Sequence, residues 1–117
     1  FYLGKEMENV VTYPPDSDHD AVRFERITDT KNTYYSYLYA GLFMRMVIAQ
    51  WSHAGYDISD RPGVLSTLYN LGFNRSIPKE NPGAGGAPIT IGGQEFSFGE
   101  LGYEFYYSGE LLNEFPY

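Results

Sequence analysis

The sequence predicts a small, mainly α-helical domain that carries one β-hairpin. Three observations support this fold class: a long apolar segment at 33–54, a second helical pattern at 61–71, and a glycine-rich stretch that leads into a hairpin signal. With 117 residues, of which 43% are hydrophobic and 20% charged, the chain can bury one core but not two. We therefore expect residues 1–117 to form a single domain.

The segment 33–54 is predicted to be the long central helix. Asp29, Thr30 and Asn32 are candidate N-caps before it, and Gly55 is the candidate left-handed C-cap after it. Apolar residues occur on both sides of this helix, as is typical of a helix in the middle of a small fold. Its strongest apolar face collects Ala40, Phe43, Met44, Val47, Ile48 and Trp51.

A second, shorter helix is predicted over residues 61–71. Ser59 or Asp60 can cap it, Pro62 suits its first turn, and Gly72 closes it. We expect the apolar face of the central helix to be buried against it.

The next stretch is predicted to contain a loop and a hairpin. Residues 81–86, which we call the glycine-rich loop, contain Pro82 and three glycines and cannot form a helix or a central strand. Residues 89–91 and 94–96 then flank Gly92-Gly93, which is the spacing of a two-residue hairpin whose turn needs positive φ.

Helices are also predicted near both ends of the chain. Ser97 and Glu100 have the spacing of a capping box, which indicates a closing helix that Gly109 interrupts. At the other end, a short helix is predicted because four apolar residues have helical spacing. These residues are Leu3, Met7, Val10 and Val11.

The charge balance and residue types exclude several classes of protein. Fifteen acidic and eight basic side chains give a net charge of −7, so the chain does not attract phosphate and nucleic acid is not an expected partner. The absence of cysteine excludes disulfides, thiolate zinc sites and thiol nucleophiles. A membrane span at 34–51 is not expected, because Arg45 lies near its middle and tyrosines are spread along it.

The sequence predicts no metal and no cofactor. The acidic run 16–20 begins like a calcium-binding EF-hand loop, but Ala21 replaces the required glycine and Ile27 the bidentate glutamate. A solvated acidic loop is therefore expected, with an irregular weak metal site as the alternative. His19 and His53 are too far apart in sequence to predict a zinc site, and no nucleophile or phosphate-binding motif is present.

The segment Tyr69-Asn70-Leu71-Gly72 resembles the Tyr-Asn-x-Gly motif of soluble lytic transglycosylases and related goose-type lysozyme-fold proteins. The similarity covers about residues 34–73 and is shared with the later half of uncharacterised bacterial envelope proteins of this type. It implies a lysozyme-like domain whose glycan cleft contains Tyr69 and Asn70 as substrate-binding residues. The implied partner is peptidoglycan or a related glycan, and the implied location is the periplasm or cell envelope.

The catalytic acid of this family has no clear counterpart in the sequence. The Glu-Ser pair of the family should lie upstream of the motif, but none of Glu6, Glu8 and Glu25 is followed by serine. Glu25 is the best candidate, because Phe24 and Ile27 flank it and a loop can fold it toward Tyr69. Since the sequence starts with phenylalanine, we also expect a processed product or a fragment of a longer protein. The catalytic acid can then lie in the segment that precedes Phe1.

Two hypotheses about function follow. The first is a lysozyme-like domain that binds or cleaves the glycan strands of peptidoglycan, with one carboxyl group as general acid, as in a lytic transglycosylase. The alternative is a non-catalytic module that binds a glycan or an envelope protein through exposed tyrosines at 103–107 and the glycine-rich loop. A glutamate in apolar surroundings that faces Tyr69 and Asn70 would distinguish the enzyme from the module.

Overall fold

The computed structural model describes residues 11–116. In this range the chain forms four α-helices and a two-stranded hairpin, which confirms the mainly α-helical class. The predicted N-terminal helix lies outside the described residues except for Val11. The elements in chain order are α1 (His19–Thr28), α2 (Tyr34–His53), α3 (Pro62–Leu71), a 3₁₀ turn (Phe73–Arg75), β1 (Pro88–Ile91), β2 (Gln94–Ser97) and α4 (Phe98–Tyr107).

The long helix α2 ends as predicted at Gly55, which has a φ of 94°. The Gly55 N–H donates to the Ser52 carbonyl at 3.0 Å, and the Tyr56 N–H reaches back to the Trp51 carbonyl at 2.9 Å. This pair of bonds is a Schellman motif, which satisfies carbonyls at the end of the helix. The rings of Tyr56 and Trp51 also meet edge to face, with centroids 6.4 Å apart, so the helix end is joined to the core.

The hydrophobic core lies where α2 meets α3. Val47 and Trp51 of α2 are 0% and 1% exposed, which confirms their predicted burial. They pack with Ile58 of the connecting segment and with Val64 and Leu68 of α3. Phe43 and Ile48, also predicted for this face, are partly buried against the same cluster.

A buried polar network fastens the segment after α3 to α2. The Trp51 indole N–H donates to the Ser76 hydroxyl at 2.9 Å, and this hydroxyl donates to Gln50 Oε1 at 2.6 Å. Gln50 Nε2 completes the network by donating to the Ser76 carbonyl at 3.0 Å. The indole is thus buried without losing its hydrogen bond, which would otherwise cost about 1–3 kcal/mol.

The predicted N-cap of α3 is wrong, whereas Pro62 in its first turn and Gly72 at its C-cap are confirmed. The N-cap residue is Arg61, and no side chain caps the helix. Ser59 is instead engaged by Asp57, whose carboxylate accepts from the Ser59 hydroxyl at 2.6 Å and from the Ser59 N–H at 2.9 Å. Ser59 lies two residues before the N-cap residue Arg61, and its side chain takes part in this local turn instead. These two hydrogen bonds hold the pKa of Asp57 below its usual range, and the bond from the hydroxyl has the larger effect.

The hairpin and the closing helix have the predicted geometry. Gly92 and Gly93 have φ values of 58° and 80°, as a type I′ turn requires, and β1 pairs antiparallel with β2. The capping box is present at the start of α4, where Glu100 accepts from the Ser97 N–H at 2.7 Å. This hydrogen bond from the Ser97 backbone, together with a hydrogen bond from the Ser97 side chain, lowers the pKa of Glu100. The cap is therefore intact at neutral pH and weakens as the pH falls through that lowered value.

Glycines allow α4 to approach α3 very closely. A Cβ atom at Gly99 would collide with the Thr67 hydroxyl and lie 2.8 Å from the Gly63 carbonyl oxygen. A Cβ atom at Gly102 would collide with the Ser66 hydroxyl. These two helices make the most extensive contact between elements in the described part of the chain. The contact is therefore possible only because Gly99 and Gly102 have no side chain.

The first helix, α1, is held against α2 by an arginine between aromatic rings. The Arg26 guanidinium lies 5.0 Å from the ring centroid of Tyr13 and 4.3 Å from that of Tyr35. It also donates to the Tyr39 hydroxyl at 3.3 Å and to the Thr12 carbonyl at 2.8 Å. Cation–π contacts and hydrogen bonds thus take the place of an apolar interface, and no residue of α1 is buried.

Within residues 11–116, no helix is both long and apolar enough to cross a membrane. This finding agrees with the expectation for the α2 segment, which carries Arg45.

Val47→Asp should unfold the domain, because it places a carboxylate with no partner at a fully buried position. The expected result is loss of the cooperative thermal transition followed by circular dichroism. Tyr37→Asp adds the same charge at a 77% exposed position of the same helix and should leave the transition close to that of the original protein. A native-like melting temperature for Val47→Asp would contradict the described core.

Gly99→Ala should destabilise the domain by several kcal/mol, because the new methyl group collides with Thr67 and with backbone atoms. The matched control is Gly41→Ala in the middle of α2, where nothing lies within 4 Å of the added Cβ. That change should stabilise the protein by about 0.5–1 kcal/mol, since alanine is the better helix former. Urea denaturation of both variants measures the difference, and equal effects would refute the close approach of the two helices.

Candidate functional site

Tyr69 lies on α3 as a half-exposed aromatic residue. Its side chain is 45% exposed. The ring meets Phe43 of α2 edge to face, with centroids 5.6 Å apart. The ring is thus supported on one side by the partly buried Phe43 and is accessible to solvent on the other.

Asn70 uses its side chain to hold the backbone next to the glycine-rich loop. Its Oδ1 atom accepts a hydrogen bond from the Ala87 N–H at 2.8 Å. A Cβ atom on Gly86 would lie 2.7 Å from this same oxygen, and Gly86 has a φ of 94°, so only glycine fits there without strain. The carboxamide therefore positions the segment that connects the glycine-rich loop to β1.

Thr67, one helical turn before Asn70 on α3, holds the same loop from beneath. The Thr67 hydroxyl donates to the Gly63 carbonyl at 2.6 Å and accepts from the Gly85 N–H at 2.8 Å. The residue is only 8% exposed. The sequence interpretation missed this residue, because a threonine inside a helix gives no sign that a distant loop will bind to it.

The same loop and the adjacent Ala87 cap α4. The Phe98 N–H donates to the Ala87 carbonyl at 2.9 Å, and the Gly99 N–H donates to the Gly85 carbonyl at 2.8 Å. These donors belong to the first turn of a helix, where backbone N–H groups have no partner within the helix itself. The loop is therefore fixed between α3 and α4.

Glu25, the candidate general acid, lies on α1 and is exposed. Phe24 and Ile27, which were expected to give it apolar surroundings, are themselves 71% and 46% exposed. The structure therefore brings Tyr69 and Asn70 together on α3 but places Glu25 on a helix that packs against α2. Its role as an acid stays a prediction.

The acidic run at 16–20 caps α1. Asp18 Oδ1 accepts from the backbone N–H groups of Asp20 and Ala21 at 3.0 and 3.3 Å. Asp20 forms an ion pair with Arg23 at 2.9 Å. Among residues 11–116, no group of three or more histidine, aspartate or glutamate side chains is arranged to hold a metal ion.

An apolar concavity is lined by a different set of residues. We call it the apolar groove: a cavity of about 470 Å³ between α2, α3, α4 and the chain that follows α4. Ser59 and Ser66 are the polar side chains that contribute to its walls, apart from the Tyr106 hydroxyl. The main apolar side chains of its walls are Met44, Leu65, Phe105, Leu111, Leu112 and Phe115.

A second, more polar cavity of about 390 Å³ lies beside the segment that connects α2 and α3. Tyr56, Arg61 and Glu80 are among its lining residues. Tyr69 and Asn70 line neither this cavity nor the apolar groove. The tyrosines of the alternative hypothesis lie on α4, where Tyr103, Tyr106 and Tyr107 are 46–50% exposed.

Comparison of the chain with protein-family models, curated proteins and solved structures found no match. The likeness of residues 69–72 to the lytic transglycosylase motif therefore stays a resemblance.

Thr67→Val should destabilise the protein by about 1–3 kcal/mol, because the nearly isosteric valine leaves the Gly85 N–H without its acceptor. Hydrogen exchange should become faster at the Gly85 amide. Asn70→Ala should instead accelerate exchange at the Ala87 amide, with a smaller loss of about 1 kcal/mol at this more exposed site. Thr67→Ser keeps the hydroxyl and is the control; unchanged exchange in both test variants would show that these bonds do not hold the loop.

Proposed function

We propose that this chain binds the glycan strands of peptidoglycan through Tyr69 and the glycine-rich loop that Thr67 holds, and that it does not cleave them on its own. The observation that carries the proposal is the half-exposed Tyr69 ring, which packs against Phe43 and is the first residue of the segment that resembles the lytic transglycosylase motif.

An aromatic ring in this position suits a sugar. The faces of pyranose rings are apolar and pack against tyrosine, while the tyrosine hydroxyl can hydrogen-bond to sugar hydroxyls. The contact with Phe43 restricts the orientation of the ring, which lowers the side-chain entropy lost on binding.

The glycine-rich loop supplies a backbone surface beside the motif. Gly83 is exposed, and a Cβ atom there would meet nothing within 4 Å, so a ligand can approach the backbone closely. Thr67 fixes the far end of the loop at Gly85, and Asn70 fixes Ala87 directly after it. In this proposal Asn70 acts by positioning the loop, and Tyr69 is the residue that touches the sugar.

Binding is favoured over cleavage by the surroundings of Glu25. A general acid for glycoside cleavage needs an apolar wall that keeps its carboxyl group protonated near neutral pH. Glu25 is exposed, and its neighbours Phe24 and Ile27 are in water as well. Since peptidoglycan lies in the cell envelope, the proposal places the protein in the periplasm or envelope.

Tyr69→Ala should reduce binding to purified peptidoglycan sacculi at least about fivefold, which corresponds to about 1 kcal/mol. Co-sedimentation at increasing sacculus concentration measures this. Tyr69→Phe keeps the ring and should lose less affinity, which separates stacking from hydroxyl contacts. The matched control is Tyr37→Ala, which removes a more exposed tyrosine from α2. Equal binding by Tyr69→Ala and Tyr37→Ala would contradict the proposal.

The unmodified chain should leave a suspension of sacculi turbid, because its candidate acid is exposed to water. Turbidity over time tests this, with Glu25→Gln as the informative variant. Clearing by the original chain that disappears in Glu25→Gln would refute the proposed inactivity and identify the acid. Clearing that persists in the variant would place the acid at another residue.

A further inference from the structure

We infer that the apolar groove docks a basic amphipathic helical segment of a partner protein. This site goes beyond the proposed glycan binding, because Tyr69 and the glycine-rich loop do not line the groove.

The groove leaves large apolar side chains in water. Phe115 is 71% exposed, Phe105 is 55% exposed, and Leu111 and Leu112 are each 44% exposed. These side chains surround one concavity of about 470 Å³ instead of being scattered over the surface. Contiguous exposed apolar surface of this kind marks an interaction site, since single exposed apolar residues are ordinary.

The outer wall of the groove is ordered by backbone hydrogen bonds. After α4, the Leu112 N–H donates to the Gly109 carbonyl at 3.2 Å, and the Phe115 N–H donates to the Leu111 carbonyl at 2.8 Å. The second bond is a helical turn, which places Leu111 and Phe115 on the same side. This wall and α4 line one apolar groove, the kind of surface that receives the apolar face of an amphipathic helix with anchors three and four residues apart.

Three exposed acidic residues, Asp60, Glu110 and Glu114, adjoin lining residues of the groove in sequence, and we call them the acidic rim. Glu110 and Glu114 directly precede the lining residues Leu111 and Phe115, and both are exposed. Asp60, which follows the lining residue Ser59, is exposed as well. Lys79 is the last basic residue of the sequence, so the walls built by α4 and the following chain contain no positive charge.

Two arginines adjoin lining residues elsewhere. Arg61 is directed toward the second cavity, where it donates to the Pro82 carbonyl at 3.3 Å. Arg45 follows Met44 on α2 and is exposed. The side of the groove formed by α4 and the following chain therefore carries negative charge only. It favours lysine and arginine on the docked segment.

The charge pattern also decides against two other occupants. A second copy of this chain would bring another acidic rim and a net charge of −7 against the first, which like-charge repulsion disfavours. A glycan would find few hydrogen-bonding side chains in a groove lined mainly by leucine, methionine and phenylalanine. A helix with a leucine-rich face and lysines on its other side satisfies both the apolar walls and the acidic rim.

The test is calorimetric titration of the intact chain with two synthetic 18-residue amphipathic peptides. Both peptides have the same leucine positions, and their polar positions are all lysine in one and all glutamate in the other. We expect the lysine peptide to bind at least tenfold more tightly, and its affinity to fall as salt is raised from 50 to 300 mM. Binding by neither peptide, or equal binding by both, would overturn the inference.

Variants separate the groove from general attraction to an acidic protein. Leu112→Asp should weaken binding of the lysine peptide at least tenfold even though it adds a negative charge. The matched control is Ile91→Asp, which adds the same charge at a 54% exposed position of the hairpin and should bind as tightly as the original chain. Circular dichroism confirms that both variants fold.

Each remaining outcome is informative. Equal binding by Leu112→Asp and Ile91→Asp would show that the peptide does not use the groove and would overturn the inference. Concentration-dependent dimerisation that Leu112→Asp abolishes would assign the groove to a second copy instead. Because Tyr69→Ala should leave peptide binding unchanged, failure of the glycan proposal and failure of this one can be told apart.

Discussion

The close approach of α3 and α4 is the constraint on which the rest of the structure depends. Where most helix pairs interlock side chains, this pair brings backbone and hydroxyl groups together at Gly63, Gly99 and Gly102. A single methyl group at Gly99 or Gly102 would collide with Thr67 or Ser66. The contact has little tolerance, and the neighbouring loop and groove take their positions from it.

Both candidate surfaces derive from this contact. On one side, Thr67 and the first N–H groups of α4 hold the glycine-rich loop between the helices, so that the loop lies beside Asn70. On the other side, α4 and the chain after it form the walls of the apolar groove. Helix placement thus creates a polar, backbone-rich surface, for which we propose a glycan, and an apolar one, for which we propose a protein helix.

The two sides of the molecule are stabilised by different kinds of interaction. The α2–α3 core is apolar and contains a satisfied indole, since Ser76 accepts from Trp51 and donates to Gln50. The α1–α2 contact depends on Arg26 between tyrosine rings and has no fully buried residue on α1. The exposed candidate acid Glu25 therefore belongs to the less buried part of the described structure, far from the environment that a general acid needs.

The sequence by itself determined those elements that short-range rules specify. Helical periodicity predicted α2, with its buried Val47 and Trp51, and α3. The glycine pair predicted the hairpin turn, and the capping residues predicted the start of α4. Tertiary structure decided the partners of polar groups: Asn70 and Thr67 bind a loop 15 or more residues away, and Ser59 turns to Asp57 instead of capping α3. It also decided that the apolar residues after α4 form a groove wall. Periodicity shows which face of an element is apolar, but only the distance between packed helices decides which atoms meet.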